Sequence, residues 1–85
     1  MKRRPEWWEW ELELSPHLVK RMADRDFTEP DVRSMLQAAT RVRPDVEPGR
    51  WIVSSRRRRR RWEVIIEPDP EVRVLIVITA YPVSP

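Results

Sequence analysis

Trp51-Ile52-Val53-Ser54-Ser55-Arg56-Arg57-Arg58-Arg59-Arg60-Arg61-Trp62-Glu63-Val64-Ile65-Ile66-Glu67 is the stretch on which the fold turns. Residues 50–57 read as one strand through Trp51, Ile52 and Val53. Residues 62–67 read as a second, with Trp62, Val64 and Ile66 on one side and Ile65 on the other. Six consecutive arginines, Arg56, Arg57, Arg58, Arg59, Arg60 and Arg61, join them. The run therefore belongs to the junction of two neighbouring strands.

Downstream, Pro68-Asp69-Pro70-Glu71 is a turn by composition. Residues 72–81 are almost wholly apolar and β-branched, which predicts a central strand covered on both faces and stopped by Pro82 and Pro85. Upstream, Pro44, Pro48 and Gly49 break the chain, and Val42 and Val46 leave room for a short extended edge segment. A helix precedes them, with Val32, Met35, Leu36 and Ala39 on one face, ending near Thr40 or Arg41. Its start is marked by Thr28 as N-cap with Asp31 three residues on, flanked by Phe27 and Val32 as a hydrophobic staple.

An earlier helix starts at Ser15-Pro16, a capping hydroxyl followed by a proline whose missing N–H is harmless at the first helical position. Leu18, Val19, Met22 and Ala23 form its apolar face, bordered by a polar stripe of His17, Arg21 and Arg25. Residues 6–14 alternate, with Trp8, Trp10, Leu12 and Leu14 against Glu9, Glu11 and Glu13, which predicts a half-buried strand. That pattern turns Trp7 outward and leaves Trp51 undecided. The order is β-α-α-β-β-β, an α+β fold with two helices packed on one face of a mostly antiparallel sheet.

A chain of 85 residues makes one domain, spanning 1–85 with residues 1–5 expected to be disordered. With no cysteine, neither a disulfide nor a thiolate metal site helps to hold it. No apolar stretch approaches the roughly 20 residues that span a bilayer, and Lys2-Arg3-Arg4 is not followed by an apolar signal core, so no membrane association and a cytoplasmic location are expected. The net charge is +3, unevenly spread: residues 1–49 carry nine basic and ten acidic groups, residues 50–85 eight and four. Positive charge is concentrated in the second half.

Three constellations have chemistry to offer. Consecutive guanidinium groups clamp phosphates by forked hydrogen bonds and release counterions, which makes Arg56–Arg61, with Arg50 and Arg25 beside them, the candidate nucleic-acid contacts. The bland alternative is a solvated hairpin tip, although six like charges repel one another in the folded state. His17 one helical turn from Arg21 pairs a group that exchanges protons near neutral pH with a fixed cation, as phosphodiester cleavage requires. The alternative is that Arg21 and Arg25 pair with Asp24, Asp26 or Glu29. Tyr81, with Thr79, offers a hydroxyl and a stacking face at a strand end, or simply covers the sheet. One glycine excludes a Gly-rich phosphate loop, and one histidine without cysteine excludes zinc spacing, so neither metal nor cofactor is expected.

Ser15-Pro16-His17-Leu18-Val19-Lys20-Arg21-Met22-Ala23-Asp24-Arg25-Asp26-Phe27, the second helix opening Thr28-Glu29-Pro30-Asp31-Val32 and the closing Val77-Ile78-Thr79-Ala80-Tyr81 resemble a widespread bacterial family of uncharacterised small domains with a His-x-x-x-Arg-Met helix, similar to the RelE/ParE toxin-like superfamily. The resemblance implies a RelE-like domain acting as a metal-independent endoribonuclease toxin, ribosome-dependent or free, that binds RNA and is neutralised by an antitoxin protein. His17 would serve as acid or base, Arg21 and Arg56 as transition-state cations and Tyr81 beside them, with the other arginines as phosphate tethers. ParE-like relatives act on a topoisomerase instead, and a non-enzymatic nucleic-acid or protein-binding module is the further alternative. Monomer and homodimer both stay open.

Overall fold

A computed structural model describes residues 4–83 of the chain. The elements are a one-turn 3-10 helix (Glu6–Glu9), β1 (Glu11–Leu14), α1 (Pro16–Arg25), α2 (Glu29–Gln37), β2 (Arg41–Pro44), β3 (Trp51–Arg57), β4 (Arg60–Asp69) and β5 (Val74–Pro82). The strands form one sheet in the order β1-β5-β4-β3-β2. The β1–β5 pair is parallel and the other three are antiparallel. This is the α+β arrangement expected, with β1 and β2 at opposite rims; the edge segment is a strand through Val42 that includes Pro44 and leaves Val46 outside it, fully exposed.

Both helices lie on one face, α1 over β5 and α2 over β3 and β4. Leu18, Phe27, Val32, Met35 and Leu36 from the helical layer meet Val53, Trp62, Val64, Ile66, Leu75, Val77 and Ala80 from the sheet in a single core. Each of the fully buried aliphatic side chains contributes roughly 1.5–3 kcal/mol by leaving water. Phe27 packs edge-on to Trp62, ring centroids 5.3 Å apart, which joins the turn between the helices to β4.

Both predicted helix starts are where the capping residues put them. Ser15 Oγ accepts from the Leu18 N–H at 3.0 Å, and Asp31 Oδ2 accepts from the Thr28 N–H at 2.8 Å and the Thr28 hydroxyl at 3.0 Å. The ends are less legible. α2 stops at Gln37 rather than near Thr40, because Thr40 already donates its N–H to the Ser54 carbonyl at 2.9 Å and leads into β2.

The N-terminal strand is shorter than its alternation predicts. Glu11 lies opposite Val74, the first residue of β5, so residues before Glu11 have no strand beside them. They close instead into the 3-10 turn, through Trp8 N–H to Pro5 O (3.0 Å) and Trp10 N–H to Trp7 O (3.1 Å). Period-two reasoning then fails for Trp7. Its ring packs 5.8 Å from that of Trp51, and both rings cover the core rim. Arg4 is held with its guanidinium 4.5 Å over Trp8. Residues 1–3, most of the segment expected to be disordered, and Pro85 lie outside the described residues.

The predicted coverage of β5 on both faces is also corrected. Its burial alternates, with Leu75, Val77 and Ala80 buried and the intervening residues half-buried, because the helices cover one face only. Val72 is 65% exposed in the turn before β5, whereas Pro68 and Asp69, expected in that turn, belong to β4.

The jump from Val77 to Ala80 is a β-bulge. Ile65 pairs with Thr79 and Ile66 with Val77, which leaves Ile78 without an opposite residue. Its carbonyl accepts from Ser15 Oγ at 2.7 Å, while Ser15 N–H donates to Val77 O at 3.1 Å. One serine thus caps α1 and ties it to the bulge. Ser15→Ala removes the two hydroxyl bonds, to Ile78 O and from the Leu18 N–H, and is expected to cost about 1–2 kcal/mol, a fall in Tm of roughly 5–10 °C by thermal denaturation. Ser15→Thr should recover most of that loss.

Candidate nucleic-acid interface

Residues directly paired across a sheet share a face. The strand register therefore sorts the polar side chains between the helix-covered face and the open one. Arg41, Ser54, Glu63 and Tyr81 fall in one row across four strands, and Arg43, Ile52, Ile65 and Thr79 in the next. Arg56 pairs with Arg61 on the same side as Ser54 and Glu63. Ser55 hydrogen-bonds to Met35 O in α2, so the alternate positions Ser55, Trp62, Arg57 and Arg60 belong to the helical side.

On the open face a polar network is built around Glu63. Tyr81 Oη donates to Oε1 at 2.7 Å, Arg43 Nη2 donates to Oε2 at 3.0 Å, and Arg43 Nη1 donates to Ser54 Oγ at 3.1 Å. The bond from Tyr81 and the charge and bond of Arg43 hold the Glu63 carboxyl below the ordinary range, against the opposing effect of burial. Burial and the neighbouring Glu63 carboxylate push the Tyr81 hydroxyl up to about 12, so it stays a donor throughout the physiological range. Arg56, Arg61, Glu63, Ser54, Thr40 and Val83 line a cleft of about 260 Å³ beside this network.

The arginine run is a two-residue hairpin. Arg57 pairs with Arg60, and the turn residues Arg58 and Arg59 both have positive φ, 52° and 64°. A tight turn of that hand is normally made by Asn-Gly, because a side chain in the left-handed region clashes with the backbone at a cost of roughly 1 kcal/mol or more. Arg56, Arg58, Arg59, Arg60 and Arg61 are exposed. Among the described residues none of these five has an acidic partner in salt-bridge range.

Arg57 differs from the rest. Its side chain is only 12% exposed, with Nη2 donating to Asp26 O at 3.1 Å and Asp31 Oδ2 at 3.3 Å, and the guanidinium 5.7 Å over Trp62. Asp31 is held below its usual range first by the Thr28 backbone and hydroxyl bonds and then by Arg57. Arg57 therefore fastens the hairpin to the junction of α1 and α2. Two other predicted contacts are also engaged within the fold: Arg25 Nη1 donates to Ala80 O at 2.9 Å, and Arg50 Nε donates to Glu67 Oε1 at 3.0 Å.

His17 is exposed in the first turn of α1, and Arg21 bonds to Asp24 at 3.4 Å. Both stand on the helical layer, whereas Tyr81 is on the open face with Glu63. The sheet lies between them. The structure thus brings Tyr81, Arg56 and Arg61 to one side and leaves His17 and Arg21 on the other. Sequence reasoning missed Thr40, Arg41, Arg43, Ser54 and Glu63. Glu63 was within reach, since Trp62 and Val64 facing the core turn it outward.

The fold and site define a small two-layer α+β domain with an uncovered sheet face and a cationic hairpin at one end of it. Residues 14–82 match the profile of a domain of unknown function, DUF4258, and the chain belongs to that family. No curated protein and no solved structure matches the chain. No helix of the described residues is long and apolar enough to cross a membrane.

The single tyrosine makes the open-face network directly measurable. Titration of phenolate absorbance should give a midpoint near 12 in the folded protein, and Glu63→Gln should lower it only in part, because burial, the larger cause, remains. Because the folded value is the higher one, Tyr81 contributes stability that is present below pH 10 and is lost between about pH 10 and 12. A wild-type midpoint near 10 would contradict both the burial of the hydroxyl and its bond to Glu63.

Proposed function

We propose that this domain binds single-stranded RNA in the cytoplasm, gripping phosphates with the exposed arginines of the β3–β4 hairpin and laying the strand along the open face of the sheet. The observation that carries this reading is the hairpin tip. Arginines occupy both left-handed positions of a turn where they cost stability, and they lack acidic partners among the described residues. Natural surfaces intersperse opposite charges, so such a cluster is matched by an external anion. Backbone strain retained at one place is itself a pointer to function.

Single strands suit the geometry better than duplexes. An open sheet face beside a cationic hairpin lets backbone and splayed bases be held together, whereas the major groove of an RNA duplex is too narrow for side chains to read. Binding is favoured over cleavage of the RelE type because the imidazole proposed as acid or base lies on the helical layer, across the sheet from Tyr81, Arg56 and Arg61. An antitoxin partner is no part of what the binding reading requires.

Fluorescence anisotropy with a short single-stranded RNA tests it. Log affinity should fall linearly with log salt, with a slope of about −0.7 per phosphate contacted and up to about −3.5 if all five exposed arginines engage. The double substitution R58N/R59G should stabilise the fold by roughly 1 kcal/mol while lowering that slope by about 1.4. His17→Ala should leave affinity unchanged. Salt-insensitive binding, or a loss of affinity in His17→Ala as large as in R58N/R59G, would remove the hairpin from the role.

A further inference from the structure

Glu63 is out of place in a purely phosphate-binding cleft, since a carboxylate repels a phosphate. It stands two residues along β4 from Arg61, and both line the cleft. Each of its oxygens accepts one bond from within the fold, Oε1 from Tyr81 and Oε2 from Arg43. An ionised carboxylate has about four acceptor sites, so each oxygen retains capacity for one more donor. Glu63, which lines the cleft and is held by those two bonds, thus has a pair of acceptor oxygens in one plane.

Two adjacent N–H donors in a plane match that pair. Among the bases of RNA with their Watson–Crick edges free, only guanine carries them, as N1–H and the N2 amino group. Adenine and cytosine place one donor beside an acceptor nitrogen, and uracil places one between two carbonyls; in each case a lone pair would face the carboxylate. The other groups in the cleft suit the rest of a nucleotide. Arg56 and Arg61 face each other directly, a like-charge pair that destabilises the strands unless an anion sits between them. Ser54 Oγ accepts from Arg43, which leaves its own proton for a phosphate or sugar oxygen. The volume of about 260 Å³ falls below the roughly 300–1,000 Å³ of pockets for larger ligands, and suits one residue of a strand rather than several.

We propose that this cleft is a guanine subsite, with the Watson–Crick edge of one unpaired guanine on the Glu63 carboxylate and its phosphate between Arg56 and Arg61. The inference rests on the RNA-binding reading above and adds base selectivity to it. Arg43 and Tyr81 act as positioning residues that hold the carboxylate ionised and oriented.

The test uses the full wild-type chain and anisotropy with oligouridylates carrying one central guanosine, inosine, 7-deazaguanosine or uridine. Guanosine should bind about 5- to 150-fold more tightly than uridine, the discrimination of a good bidentate pair. Inosine, which lacks only the N2 amino group, should lose most of that preference, and 7-deazaguanosine, altered only on the opposite edge, should keep it. Glu63→Gln should bind all four alike with the salt slope preserved. Because the base comparison needs no variant, unfolding of Glu63→Gln would not obscure it. Equal, salt-dependent affinity for all four oligonucleotides overturns the guanine subsite and leaves the RNA-binding reading standing; absence of binding to any of them overturns both.

Discussion

The Ser15 hydroxyl bonded to the Ile78 carbonyl is the contact on which the layout of this domain depends, because three elements meet there. Ser15 follows directly on β1, caps α1 and reaches the bulge of β5, so the parallel pair, the helical layer and the sheet are connected at one residue. The bulge it secures reverses the facing of every later residue in β5. Leu75 and Val77 point to the helices, but after Ile78 it is Ala80 that does so, and Thr79 and Tyr81 emerge on the open face. Without the extra residue Tyr81 would lie under α1, and Glu63 would lack the donor that helps keep it ionised.

The arginine hairpin divides its charge by the same alternation. Arg57, on the helical side, is drawn in by Asp31, the Asp26 carbonyl and the face of Trp62, and so anchors the hairpin to the helices. Arg56 and Arg61, on the open side, are left facing one another. Guanidinium groups of one chemical kind, consecutive in the chain, therefore have opposed duties: one fixes the hairpin, and the others are held out by it. The left-handed turn at Arg58 and Arg59 shows how firmly pairing of β3 with β4 imposes itself, since the turn's own residues disfavour that conformation.

Much of the fold was legible because its signals are local. Ser15-Pro16 and Thr28 with Asp31 mark helix starts by chemistry that acts within one turn, and the alternation of Trp62, Val64 and Ile66 marks a strand whose two faces differ. The failures share a cause as well. Glu6 to Trp10 alternates like a strand but has no partner there, since β5 begins opposite Glu11. Residues 72–81 look buried on both sides, yet among the described residues the helices form one layer, over one face of the sheet. Of the candidate site, the arginine run and Tyr81 were visible as residue types, whereas Arg43 and Ser54 carry no signal until strand pairing sets them beside Glu63.

By itself the sequence determined the α+β class, the two capped helices, the hairpin and the concentration of positive charge upon it, because caps, period and composition act between residues near in the chain. Only the tertiary structure decided which face each charge occupies. That outcome rests on a one-residue bulge at Ile78 and on the register between β3, β4 and β5, and a shift of one residue in a strand moves every side chain to the opposite side. Hence the separation of His17 and Arg21 from Tyr81, and the meeting of Tyr81, Glu63 and Arg43, belong to the sheet rather than to any stretch of the chain.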